Sequence, residues 1–369
     1  MQIRYYEHRD DQSREERLEE LFRFFSYLLM KTSGDVDETL DWIEEIDKSH
    51  GILGDLTMQE FVDELKKAGL IEPDKESGDQ GSRFSLTGRG RRKLRTDALD
   101  EIFSSLKKST PGDHRTPQTG SGHEETGELR SWSFGDRPSS IDPTASLTNA
   151  FRREADIEQF RLREEDLRVR ETEASSSVAT VLMIDISHSM ILYGEDRITP
   201  AKQVALALSE LVMTRYPKDR LQVLLFGDDA TEIGVAEIPF VSVGPYHTNT
   251  RAGLKMARSM LRRSRNSNRQ IFMITDGKPS AMYDESGRLY KNSFGLDPRI
   301  VNRTLDEAVA CRREGITIST FMVAQDSWLV EFVEDMTKAN RGRAYYTGLG
   351  DLGEMLLVDY MRGRKRRMR

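Results

Sequence analysis

The stretch "VLMIDISHSM", residues 181–190, is an apolar run that ends by offering Asp185, Ser187 and Ser189 at alternate positions. A strand places residues i, i+2 and i+4 on one face, and a loop leaving it can fan the same side chains around a point. Two later segments supply matching oxygen groups. "GPYHTNTRAGLKMA" sets Thr248 and Thr250 just ahead of a helical pattern, and "ITDGKPS" places Asp276 at the end of another apolar run. Two carboxylates and several hydroxyls, with no cysteine and no required histidine, are hard oxygen ligands suited to Mg²⁺ or Mn²⁺ rather than zinc. Magnesium keeps several waters, so an incomplete protein shell leaves a position that a partner's carboxylate can fill.

The elements that must hold these residues follow from the pattern after residue 178. "VATVLMID", "RLQVLLFGD", "RQIFMITDG", "TISTFMVA" and "RAYYTG" read as strands, and amphipathic helical segments separate them. Strands apolar on both faces, alternating with helices, predict a doubly wound, mostly parallel α/β sheet covered on both sides. Ligands of such sheets lie outside the carboxyl ends of the strands. Asp185 and Asp276 both sit at strand ends, so one crevice is expected to receive both.

Asp-x-Ser-x-Ser after the first strand, Thr before a helix and Asp-Gly after a later strand resemble the metal-ion-dependent adhesion site of von Willebrand factor A domains. The resemblance covers about 178–361 and implies a Rossmann-like fold. It carries over to Asp185, Ser187, Ser189, Thr248 and Asp276, with Thr248 preferred to Thr250. It implies direct coordination by Ser187 and Ser189, Thr248 joining in the engaged state, and aspartates acting through water. "FGDRPSSIDPTASLTNAFRR" and the segment leading into the first strand further resemble a prokaryotic group of intracellular von Willebrand A proteins, related to chelatase D subunits and to partners of MoxR-type AAA+ ATPases. That likeness implies an adaptor. The chain has no G-x-x-x-x-G-K-[ST] sequence, so ATP hydrolysis would belong to the partner.

Five regions are expected. Residues 1–106 read as a mainly helical, winged-helix-like domain, 107–130 as a flexible linker and 131–177 as a connecting segment. The von Willebrand A domain spans 178–361, and 362–369 is a basic tail. "DLGEMLLVDYMRG" reads as the last packed helix.

Composition bounds the alternatives. Of 369 residues, 37% are hydrophobic and 32% charged, and a net charge of −7 argues against nucleic-acid affinity of the whole chain. A DNA-associated regulator would have to use Arg89, Arg91, Arg92, Lys93 and Arg95 or the basic tail, yet "TMQEFVDELKKAG", the candidate recognition helix, is acidic. A metal-dependent hydrolase would need a base, and only His188 and His247 lie near the motif; neither has an orienting carboxylate close in sequence. No catalytic residue and no further cofactor is assigned. The lone Cys311 excludes an internal disulfide and reads as a core residue. The charged start "MQIRYYEHRDDQSREE" is not a signal peptide, and no run is long and apolar enough to span a bilayer. The expectation is a cytoplasmic protein-binding module.

Overall fold

The computed structural model describes residues 14–74, 84–109, 124–133, 141–153, 161–173, 177–244, 246–266, 268–292, 295–323, 327–346, 348 and 350–366. The N-terminal part holds α1 (Arg14–Lys31), α2 (Val36–His50), α3 (Met58–Lys67), β1 (Ile71–Pro73), β2 (Phe84–Leu86) and α4 (Gly88–Ser109). Strand β3 (Glu124–Ser131), α5 (Pro143–Arg153) and β4 (Arg168–Glu173) follow. The remainder is β5 (Val178–Asp185), α6 (Ile198–Arg215), β6 (Arg220–Phe226), β7 (Ala230–Ile233), α7 (Thr250–Arg262), β8 (Asn268–Thr275), β9 (Ala281–Tyr283), β10 (Leu289–Lys291), α8 (Pro298–Arg313), β11 (Ile316–Met322), α9 (Ser327–Asn340), β12 (Arg343–Tyr346) and α10 (Leu352–Arg366).

One sheet positions the motif. Its strand order is β12-β11-β8-β5-β6-β7, parallel throughout except for β7, which runs antiparallel to β6 at one edge. Central β5 is buried at all eight positions and β8 at its last six. That burial is why both strands read as unbroken apolar runs rather than alternating ones. Helix α7 lies close against the sheet at Gly253, where a Cβ would stand 2.5 Å from Met183 Cε and 3.2 Å from Phe226 Cβ. Cys311 belongs to the same core, and burial pushes its thiol up to about 12, which disfavours the thiolate. Helix α10 packs through Leu352, Leu356 and Leu357, and its buried Asp359 accepts from Ser319 Oγ at 2.8 Å and from Tyr345 Oη at 2.6 Å.

The described residues of the helical segment expected over 1–106 fall in one compact unit with residues of 178–359. Its fourth helix packs along α6, and Arg95 Nε donates to Glu210 Oε2 at 3.0 Å in an interface that leaves Glu210 nearly buried. The β1–β2 hairpin ahead of α4 is the expected two-stranded wing. Part of the basic helix behind it is paired, while Arg89 and Arg92 are exposed. Lys93 pairs with Glu19 and Asp97, Arg95 with Glu210, and Arg91 lies over the Phe240 ring at 5.8 Å.

The linker expected over 107–130 also differs. Helix α4 runs on to Ser109, and β3 begins at Glu124 and pairs antiparallel with β4; between them, 110–123 lie outside the described residues. The described residues of 111–177 and 360–369 fall in a second unit, which includes the segment expected as a connector over 131–177. Within that unit Arg153 clamps the buried Asp166 through Nε at 3.0 Å and Nη2 at 2.8 Å. That hydrogen bonding, helped by the Arg163 backbone, holds the Asp166 carboxyl down at about 2. Of the basic tail, 362–366 continue α10, and 367–369 lie outside the described residues.

The α4–α6 contact has a measurable consequence. Arg95→Met leaves Glu210 buried without its cation, and the chain should lose about 1–3 kcal/mol. Urea unfolding followed by circular dichroism checks this. An unchanged midpoint would mean that the pair does not hold the helices together.

Candidate metal centre

Parallel register brings the motif together. Strands β5 and β8 are neighbours with Ile184 opposite Ile274, so Asp185 and Thr275 stand side by side at the strand ends, and Asp276 follows at once. Asp185 is fully buried and Asp276 is 5% exposed. Asp185 Oδ1 accepts from the Ser187 backbone N–H at 2.9 Å, which turns the chain out of the strand. Its Oδ2 accepts from Thr275 Oγ1 at 2.6 Å.

Three hydroxyls then form a chain that ends on Asp276, and Asp185 joins it through the Ser187 backbone N–H. Thr248 Oγ1 donates to Ser187 Oγ at 3.0 Å, Ser187 Oγ and Ser189 Oγ are 3.1 Å apart, and Ser189 Oγ donates to Asp276 Oδ1 at 2.7 Å. Asp185, Ser187, Ser189, Thr248 and Asp276 therefore form one connected oxygen cluster. Thr250 stands apart from it as the buried first residue of α7. The separation has a local cause. Asn249 caps α7, its Oδ1 accepting from Ala252 N at 3.1 Å, so Thr250 enters the helix while Thr248 stays in the loop. That loop is tied at Thr248, whose N–H donates to Ser280 Oγ and whose carbonyl accepts from Ser280 N. Farther back, the buried Lys202 Nζ donates to the Val241 carbonyl at 2.8 Å and to that of Pro239 at 3.3 Å. Burial lowers this lysine to about 8.

The cluster's charge is unbalanced. Burial first, and then the charge of Asp276, push the Asp185 carboxyl up from 3.8 to about 7, against hydrogen bonds from Ser187 and Thr275 that favour ionisation. Arg197, donating through Nη1 to Asp276 Oδ2, is the cation paired with this cluster among the described residues. Backbone shape leaves room at the same point. A Cβ on Gly277 would lie 2.8 Å from Thr248 Oγ1 and 3.1 Å from Ser189 Oγ, so any larger residue would crowd the oxygens. Among the described residues, no three His, Cys, Asp or Glu side chains gather at metal-binding spacing. The donor set that fits a cation here is thus two carboxylates supplemented by hydroxyls, which suits Mg²⁺ or Mn²⁺.

The histidines stand differently. His188 is exposed, and its backbone N–H donates to the Tyr246 carbonyl at 3.1 Å. The structure supplies His247 with a carboxylate neighbour that its sequence surroundings did not reveal: Asp228 Oδ1 is 3.6 Å from Nδ1 and accepts from the His247 backbone N–H at 2.7 Å. A separation of 3.6 Å is too long for an orienting hydrogen bond. Lys291 Nζ holds the other Asp228 oxygen at 2.6 Å. Arg197, Thr275 and Gly277 were not singled out from sequence. Only the Gly after Asp276 carried a signal, because Asp-Gly at a strand end marks a tight backbone approach.

Comparison with known proteins agrees with this architecture. Residues 178–361 match the family model described as Rv0959-like protein, vWA domain, and residues 124–172 match that described as Rv0959-like protein, third domain. The protein Rv0959 of Mycobacterium tuberculosis H37Rv is 32% identical over 312 residues, covering 82% of this chain and 45% of its own length. This chain thus spans less than half the length of that curated relative. Among solved structures, the vWF domain of the type V pili tip protein Mfa5 from Porphyromonas gingivalis is similar at 15% identity and a TM-score of 0.41, over 51% of this chain and 95% of that one. The PilB minor pilin from Streptococcus sanguinis is similar at 14% identity and a TM-score of 0.41, over 55% and 64%. With its parallel sheet and its family match over 178–361, this chain is a von Willebrand factor A domain protein.

Proposed function

We propose that the crevice binds Mg²⁺, or Mn²⁺ in its place, through Asp185, Ser187, Ser189, Thr248 and Asp276, and presents it to an Asp or Glu carboxylate of a partner protein. One observation carries the reading: two buried carboxylates share one cluster, Asp276 at the end of a chain of three hydroxyls and Asp185 tied to it by the Ser187 backbone, and Arg197 only partly offsets their negative charge. A buried charge without compensation is costly, and a divalent cation removes that cost. Hydroxyl ligands bring no charge of their own, so the bound cation keeps Lewis acidity for an incoming anion. Apolar side chains at the rim suit a protein partner: Ile191 is 45% exposed and Tyr246 42% exposed.

The role we assign to the bound ion is attachment to a partner's carboxylate. The resemblance to partners of AAA+ ATPases makes a MoxR-type ATPase in the cytoplasm the partner we favour, with this chain as its adaptor.

Two predictions follow from the charge. Because the folded-state value of Asp185 is raised, ionising it costs stability: without a divalent cation, stability should fall as pH rises from about 3.8 towards about 7. In EDTA at pH 8 we expect Asp185→Asn to melt above the parent chain, and in saturating Mg²⁺ the order should reverse. A cation at a hundredfold excess over its Kd adds about 2.7 kcal/mol. Thermal melts across pH decide it, and equal Mg²⁺ shifts in both chains would remove the cation from this crevice. The second concerns the partner. A MoxR-type ATPase retained by the tagged chain in Mg²⁺ should be released by EDTA and lost with Asp185→Ala. Retention that ignores both treatments would move the interface away from the cation.

A further inference from the structure

Arg197 breaks the local rules of its position. It opens α6 with helical backbone, at φ −96° and ψ −20°. A positive charge there meets the positive end of the helix dipole, where Asp or Glu is favoured. Its neighbour Asp196 does the capping, Oδ1 accepting from Thr199 N at 3.0 Å. The guanidinium instead reaches the cation crevice. Its Nη1 donates to Asp276 Oδ2, with the Arg197 side chain 12% exposed and that of Asp276 fully buried. Nε and Nη2 donate to Glu195 Oε2 at 3.0 and 2.6 Å, and the Glu195 side chain is 55% exposed. The backbone is tied as well, Arg197 N donating to the Met190 carbonyl at 3.0 Å, one residue beyond Ser189. A residue that violates its local preference while being held this firmly has a task outside its own helix.

We infer that Arg197 is a fixed counter-charge of the cation site, which weakens binding of the divalent cation and strengthens binding of the anion that the bound cation receives. The inference rests on the cation reading above. Asp185 and Asp276 together carry two negative charges, so a divalent cation between them leaves the cluster neutral. Arg197 then raises the total to +1, and its guanidinium stays charged at every physiological pH. Glu195, bonded to Nε and Nη2, offsets part of this charge, but its carboxylate is more than half exposed and hydrated while Nη1 faces the buried Asp276, so the remainder acts on the crevice. A partner carboxylate therefore meets a net positive site and leaves it neutral, whereas a neutral amide or hydroxyl gains nothing from the extra charge. By the same electrostatics Arg197 repels the cation itself. With Asp276 Oδ2 taken by Arg197 and Oδ1 by Ser189, the carboxylate is also fixed in orientation before any cation arrives.

The test uses the full chain with Arg197→Gln, which removes the charge, and Arg197→Lys, which keeps it. Calorimetric titration with MgCl₂ reads cation affinity. Water-proton relaxivity of the Mn²⁺-loaded chain, titrated with sodium acetate at constant ionic strength, reads anion affinity as acetate displaces bound water. We expect the Gln variant to bind Mg²⁺ about three- to tenfold more tightly and to need about three- to tenfold more acetate, with the Lys variant close to the parent. Melting curves confirm that each variant is folded. If Arg197 only braces the loop, both affinities fall in the Gln variant and Lys does not restore them, which overturns the inference. Unchanged affinities also overturn it while leaving the cation reading standing. Absence of Mg²⁺ binding in every chain overturns both.

Discussion

Two carboxylates have to share one water-poor crevice because the strands that carry them are neighbours in parallel register. Nothing in β5 or β8 alone demands this. It arises when Ile184 stands opposite Ile274, and the next residues of both strands emerge at the same sheet edge. Like charges so placed repel, and burial denies them water. The surrounding residues answer that conflict. Thr275 and the Ser187 backbone give Asp185 hydrogen bonds, Ser189 gives one to Asp276, Arg197 gives a charge, and Gly277 gives space. A divalent cation, on the proposed reading, would complete a cluster stabilised in this partial way.

The scaffold's role is to hold the conflict in place. A sheet buried on both faces cannot shift register without exposing apolar side chains, so the strand ends are fixed points. The loops leaving them are pinned by buried polar groups: Asn249 at the start of α7, Ser280 against Thr248, and Lys202 reaching from α6 to the carbonyls of Pro239 and Val241. Helix α6 is buried almost throughout its length, in part because α4 lies along it. Arg197 stands at the head of that helix, so the packing of the N-terminal helices and the oxygen cluster meet in one rigid element.

What was legible in the sequence divides along physical lines. The five parallel strands and the helices between them are visible because double-sided burial writes long apolar runs, and the motif oxygens are visible because they follow those runs. Strands β3 and β4, "EETGELRS" and "RVRETE", are polar and half charged, so the first was absorbed into a linker and the pair passed unseen. The docking of α4 was missed for a related reason. Arg95 and Glu210 are 115 residues apart, and each reads as a solvated surface charge until the fold brings them together. Arg197 was missed likewise, since a cation beside Glu195 and Asp196 reads as ordinary surface pairing. Charges declare their roles only through partners, and distant partners are not written in local sequence.

The choice of hydroxyls over further carboxylates bears on how such a site is used. On the proposed reading, a third acidic side chain would bring the cation, the carboxylates and Arg197 to neutrality and hold the ion regardless of any partner. Two carboxylates, three hydroxyls and a nearby guanidinium would hold it less firmly and leave one positive charge unfilled. Cation and partner are then coupled: if the ion raises the partner's affinity by some factor, the partner raises the ion's affinity by the same factor. Occupancy by the ion becomes conditional on an acidic group arriving, and discrimination between acidic and neutral partners comes from the charge left over. In this fold that leftover charge comes from a residue outside the motif, so chains carrying the same five oxygen ligands can differ in how strictly they require an anion.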